Sequence, residues 1–275
     1  GDIDRRGFIE GAAGFAISAS AAGAMLNALL PDFASAQKIS PDDKRLWIED
    51  IHIPSPNGSG VINAYLARPK KLGFWQKLPV IIVVHENRGL NPHIKDIARR
   101  IALEGYIAIA PDALTALGGY PGDEDAARAK FATLDQNKIK QDFIAAAKFA
   151  RITEHGNNKL GVIGFCYGGG MVNYLATQLK QLNAGIAFYG AAPNLEDVPN
   201  INANLMLHFA QDDERFNAMW PPYEAALKAN NKTYQAFNYE GTVHGFNNDT
   251  TPRYNEKMAA LAWARSLEFF KQNLK

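Results

Sequence analysis

From Lys44 onward the chain carries two alternating apolar patterns. Residues 46–53 and 61–68 flank the turn-forming segment Pro54-Ser55-Pro56-Asn57-Gly58 and predict an antiparallel pair at the start of a sheet. The pattern then changes. Val80-Ile81-Ile82-Val83-Val84 is an unbroken β-branched run, as a strand covered on both faces requires, and Ile94, Ile97, Ala98, Ile101 and Ala102 follow at helical spacing up to Gly105. Strands are predicted again over residues 106–110, 160–165, 186–189, 205–209 and 234–239. Helices are predicted over 139–152 and around Met171, Val172, Leu175 and Leu179. Thr251-Pro252 reads as a cap and first-turn proline opening a terminal helix with Trp263, Leu267, Phe270 and Leu274 on one face.

Repeated β-α alternation with antiparallel strands only at the start predicts an α/β protein: a three-layer α/β/α sandwich around a mostly parallel sheet. No repeat, charge block or linker divides residues 44–275, so they read as one domain. Ligands of such sheets bind beyond the carboxyl ends of the strands.

Residues 1–37 have a different composition. Arg5-Arg6-Gly7-Phe8-Ile9 precedes an Ala/Gly-rich stretch over 11–30, and Ala34-Ser35-Ala36 follows. Paired arginines, a mild apolar middle and an A-x-A ending resemble a twin-arginine export leader, although Glu10 stands where such signals often carry lysine. That reading predicts a periplasmic or exported protein cut near Ala36. An ordinary N-terminal helix would leave it cytoplasmic, and a membrane anchor is disfavoured by Gly11, Gly14, Gly23 and the serines.

The whole chain of 275 residues is 47% apolar and 21% charged, which excludes disorder. Its 29 Lys and Arg stand against 28 Asp and Glu, for a net charge of +1. Without the leader's Arg5, Arg6, Asp2, Asp4, Glu10 and Asp32 the balance is 27 against 24. Neither balance suits many phosphate contacts, so no nucleic-acid partner is expected. One cysteine, Cys166, excludes an intrachain disulfide, and six histidines without Cys pairs make structural zinc improbable. No metal or cofactor is expected.

Gly164-Phe165-Cys166-Tyr167-Gly168 lies between a buried strand and a helix. Such a turn holds its central residue in a strained conformation at the helix N-terminus, where the positive end of the helix should lower the thiol's pKa and assist a developing oxyanion. A structural cysteine among packing glycines is the competing reading. A cysteine nucleophile needs a base and an orienting acid. Asp212 and Asp213 follow one strand and His244 follows the next, at the same sheet edge as Cys166, in the order nucleophile, acid, histidine. His52 and His208 fall in strands, His85 closes one, and His93 and His155 sit at helix ends. His85-Glu86-Asn87 ends the third strand, which in this architecture supplies an oxyanion donor. H-E-x-x-H zinc spacing is absent because residue 89 is glycine. Glu86 could take or hold the thiol proton, or merely pair with Arg88 at a solvated strand end.

Three segments, Gly164 through Gly169, His85 through Asn91 and Val243 through Phe246, together resemble the dienelactone hydrolase (carboxymethylenebutenolidase) family of the α/β-hydrolase superfamily, in order across residues 45–273. The resemblance implies a triad of Cys166, Asp213 and His244, Asp213 being preferred to Asp212 because Asp213-Glu214-Arg215-Phe216-Asn217 matches the family's acid loop. It further implies Glu86 beside the thiol and an oxyanion hole formed by the backbone N–H groups of Tyr167 and Asn87. Family members bind a substrate carboxylate with arginines, one of them four residues after the histidine, where this chain has Asn248. The expected function is hydrolysis of small-molecule esters or lactones through a thioester, with dienelactone itself a weaker expectation. A non-enzymatic thiol redox switch and an inactive partner-binding domain on the same scaffold are the alternatives.

Overall fold

In the computed structural model the residues described are 33–275. The paired arginines and apolar segment of the expected leader lie outside them.

All seven residues of β3 (Leu78–Val84) are buried, because both faces are covered. Val80, Ile82 and Val84 enter one core layer, while Ile81 and Val83 enter the other. This is the period-two alternation of a strand, written entirely in apolar residues. Around it runs an eight-stranded sheet in the order β1-β2-β4-β3-β5-β6-β7-β8. The other strands are β1 (Leu46–Ser55), β2 (Gly60–Pro69), β4 (Ile107–Pro111), β5 (Gly156–Phe165), β6 (Ala184–Phe188), β7 (Asn204–Asp212) and β8 (Tyr234–Val243). β1 and β2 pair antiparallel, β2 pairs antiparallel with β4, and the remaining neighbours are parallel. All eight predicted strands are present, with boundaries moved by a few residues.

Helices α1 (Pro92–Leu103) and α6 (Glu256–Leu274) cover one face of the sheet; α2 (Glu124–Ala132), α3 (Gln136–Ile152), α4 (Tyr167–Gln178) and α5 (Trp220–Ala229) cover the other. Pattern alone did not predict α2 and α5. Each buries only two residues, Ala127 and Phe131 in α2 and Tyr223 and Leu227 in α5, which is too few to set a period. The terminal helix starts later than predicted. Thr251 accepts from the Tyr254 N–H in a turn, and Asn255 is the true cap, accepting from the Met258 N–H at 3.1 Å. Its buried face carries Ala262, Ser266, Phe269, Phe270 and Leu274, with Trp263 and Leu267 at the margins.

Chain direction across the sheet reverses at β3, with β4 on one side and β5 on the other. A crevice opens beyond the carboxyl ends of strands at such a switch point.

Candidate active site

Strand register brings the predicted residues together in pairs. Val84 is opposite Gly164, so two residues further on Glu86 and Cys166 leave adjacent strands, whose backbones lie ~4.8 Å apart. Phe165 is opposite Phe188, so Cys166 is level with Tyr189 on its other side, and the Cys166 N–H donates to the Phe188 carbonyl at 3.0 Å. Asp212 is opposite Val243, which makes Asp213 and His244 neighbours.

Cys166 caps α4 with a φ of 55° and ψ of −112°, a backbone that L-residues seldom adopt and that is tolerated where packing over-determines it. The flanking glycines supply that packing. A Cβ on Gly164 would fall 2.1 Å from the Gly168 carbonyl oxygen, and one on Gly168 would fall 2.3 Å from that of Val84. The first turn of α4 is thus pressed against the ends of β3 and β5. The thiol's pKa is pushed up to about 12, first by burial and then by the Glu86 carboxylate; the Tyr167 N–H, Arg253 and Arg88 offset this only in part. The sequence reading expected the helix terminus to lower it. Loss of water around the sulfur outweighs the dipole, so the resting group is a thiol.

Glu86 is 5% exposed, and its Oε2 accepts from Asn248 Nδ2 at 2.8 Å. The alternative pairing with Arg88 at a solvated strand end does not form: Arg88 Nε contacts Glu124 Oε2 at 3.1 Å and its Nη1 donates to Asn87 Oδ1. Asn248 is held through its Oδ1, which accepts from the Thr250 N–H and hydroxyl. Asp249 next to it meets His93 Nδ1 at 3.1 Å and Arg100 at 2.7 Å. Burial alone would raise that carboxyl's pKa, but its contacts with His93 and Arg100 bring it down to about 2.

Asp213 Oδ2 lies 2.6 Å from His244 Nδ1, whereas Asp212 is exposed. A carboxylate only accepts, so Nδ1 carries the proton and Nε2 is left as a base. The imidazole sits between Phe216, stacked at 5.0 Å, and Tyr189 at 4.9 Å. The other histidines are engaged elsewhere. His85 is fully buried, its Nδ1 donating to the Glu86 carbonyl at 2.5 Å and its Nε2 accepting from the Ala113 N–H, and burial lowers its pKa. His208, buried between Tyr239 and Ser266, is pushed down to about 3 by burial and by Arg265.

Cys166, Tyr167 and Asn87 border one cavity of about 740 Å³, walled by Phe131, Met171, Tyr174, Pro193 and Phe216, with Arg128, Lys140 and Arg215 against Asp197 among its polar residues. Three residues here carry little signal in the sequence. Asn248 stands where the family has an arginine, Tyr189 ends a predicted strand, and Arg253, whose guanidinium lies about 3.1 Å from where a Gly245 Cβ would stand, belongs to no motif.

Residues 62–274 match the Dienelactone hydrolase family. The chain belongs to that family. A Synechocystis relative, named "Putative carboxymethylenebutenolidase", is 33% identical over 246 residues, covering 83% of this chain and 98% of its own. The Escherichia coli K12 "Putative hydrolase fragment YghX" is 49% identical over 105 residues, covering 38% of this chain and 88% of its own. Among solved structures, a Klebsiella pneumoniae protein described as "Putative Dienelactone Hydrolase" superposes with a TM-score of 0.73 at 29% identity, covering 82% of this chain and 99% of that one. Membership in the dienelactone hydrolase family makes the chain an α/β-fold hydrolase of small-molecule ester or lactone bonds.

Proposed function

We propose that this dienelactone hydrolase family member works through Cys166 as nucleophile and passes through a thioester. The observation that carries the reading is the placement of Cys166 at a left-handed strand-to-helix elbow, level with Glu86 on the adjacent strand end. Glu86 takes the thiol proton, and the thiolate attacks the acyl carbon as the carbonyl π pair moves onto oxygen. The backbone N–H groups of Tyr167 and Asn87 receive that oxyanion, each worth about 3 kcal/mol in the transition state. Collapse expels the alkoxide, which recovers the proton from Glu86, and leaves the acyl group on sulfur. His244, oriented by Asp213, then draws a proton from water as the water attacks, and the thiolate departs and is reprotonated.

A thiolate leaves more readily than an amide nitrogen, so attack on a peptide reverts while an enol or other stabilised alkoxide departs. Activated esters and lactones are therefore the proposed substrates, with the acyl or alcohol portion in the aromatic-walled cavity. The protonated resting thiol counts against a redox switch, which needs a ready thiolate. We further propose export through the twin-arginine-like leader. Cys166→Ala tests the nucleophile: kcat/KM for p-nitrophenyl acetate falls to background with unchanged melting temperature, and retention of more than about a tenth of wild-type activity refutes it.

A further inference from the structure

Tyr189 is 1% exposed, and its O–H has no acceptor. A buried O–H with nothing to donate to is costly, and persists where it serves a state other than the resting one. Its backbone is unusual as well. Tyr189 follows the last residue of β6 with a φ of 37°, held there by its N–H donating to the His208 carbonyl at 2.7 Å and by its ring packing on His244 and Phe246. Because Phe165 is opposite Phe188, this left-handed residue stands beside Cys166, itself left-handed, on the neighbouring strand end. The charges that act on the hydroxyl are those of the site, Glu86, Cys166 and Arg253, and the Asn247 N–H is turned to its oxygen as a donor. Burial, reinforced by the first two, holds the phenol's pKa well above its ordinary value. It therefore stays protonated and keeps a proton to donate.

We propose that the Tyr189 hydroxyl donates a hydrogen bond to the Cys166 sulfur once that sulfur is ionised. The inference rests on the reading of Cys166 as the nucleophile. In the resting thiol the sulfur is a weak acceptor and the bond is not made. When the S–H bond breaks and its proton passes to Glu86, the sulfur gains a full negative charge, and the Tyr189 O–H turns to it without changing its own covalent state. The thiolate then has the Tyr167 N–H on the helix side and the Tyr189 hydroxyl on the sheet side. Tyr189 would lower the cost of ionising a thiol that burial otherwise keeps neutral.

Tyr189→Phe keeps the ring and removes the donor alone. Two measurements test it: the rate of Cys166 alkylation by iodoacetamide near pH ~9, which follows the thiolate fraction, and single-turnover kinetics with p-nitrophenyl acetate. Alkylation is expected to slow about three- to tenfold, the lost ionisation being partly offset by a more basic sulfur. Acylation is expected to slow by about tenfold, while thioester hydrolysis and melting temperature stay unchanged. Unchanged alkylation and acylation overturn the proposal, as does an equal loss in both kinetic steps with a lowered melting temperature, which would mark Tyr189 as packing only. Wild-type activity surviving complete alkylation of Cys166 would sink the nucleophile reading instead, and the alkylation rates would still decide the Tyr189 contact.

Discussion

The Asn248 amide holds the Glu86 carboxylate across 2.8 Å, and the two side chains are 3% and 5% exposed. A neutral donor satisfies a lone pair of the carboxylate without cancelling its charge, so the field of Glu86 still falls on Cys166 and helps keep the thiol protonated. Asn248→Leu leaves the carboxylate buried without that donor. Stability should fall by about 1–3 kcal/mol, as a buried carboxylate loses its donor. Chemical denaturation measures the loss.

Glu86→Gln should move two readouts in opposite directions. Removing the negative charge removes one of the two causes that raise the thiol's pKa, so the pH midpoint of iodoacetamide alkylation should drop. Removing the base should slow ester acylation by ~100-fold and leave thioester hydrolysis, served by His244 and Asp213, nearly unchanged. A side chain that only completed the strand end would move neither readout.

Much of the site could be read in the sequence because sheet register is carried by local patterns. Two buried runs and a later strand, each followed by a chemically marked loop, placed Glu86, Cys166 and His244 at one edge. Other features depended on contacts the pattern does not encode. Glu86 and Asn248 are 162 positions apart, and their pairing follows from how the loop after β8 closes over β3. The sign of the thiol's shift went the other way from expectation because burial of the sulfur is a property of the packed first turn of α4, which no motif shows. Tyr189 looked like an ordinary last strand residue, since neither its positive φ nor its unpaired hydroxyl leaves a mark on composition.

Acid should destabilise the fold through His208. Its folded pKa of about 3 lies below the ordinary value near 6.5, so the unfolded chain binds the proton more readily. Its contribution is complete above pH ~6.5 and is lost progressively as pH falls toward ~3, at up to about 1.4 kcal/mol per pH unit. Urea titrations between those limits should show this slope, and His208→Gln should flatten it.

Export is tested in a bacterium with a twin-arginine pathway. The chain carrying residues 1–37 should be found in the periplasm, cut near Ala36, and lysine in place of both Arg5 and Arg6 should retain it in the cytoplasm. Export undiminished by that double change removes the twin-arginine reading, and an uncut cytoplasmic wild-type protein removes the signal.

The central claim is the covalent intermediate on Cys166, and the most direct measurement is the mass of the enzyme quenched in acid during turnover. In His244→Ala the water-activating base is gone while the proposed partner of the thiol, Glu86, remains, so acyl-enzyme should accumulate with p-nitrophenyl acetate. The account predicts one added acetyl group per chain, mapped to the peptide containing Cys166 and released by hydroxylamine. Full p-nitrophenol release with no acetyl on that peptide, in the variant or in wild type, would contradict it.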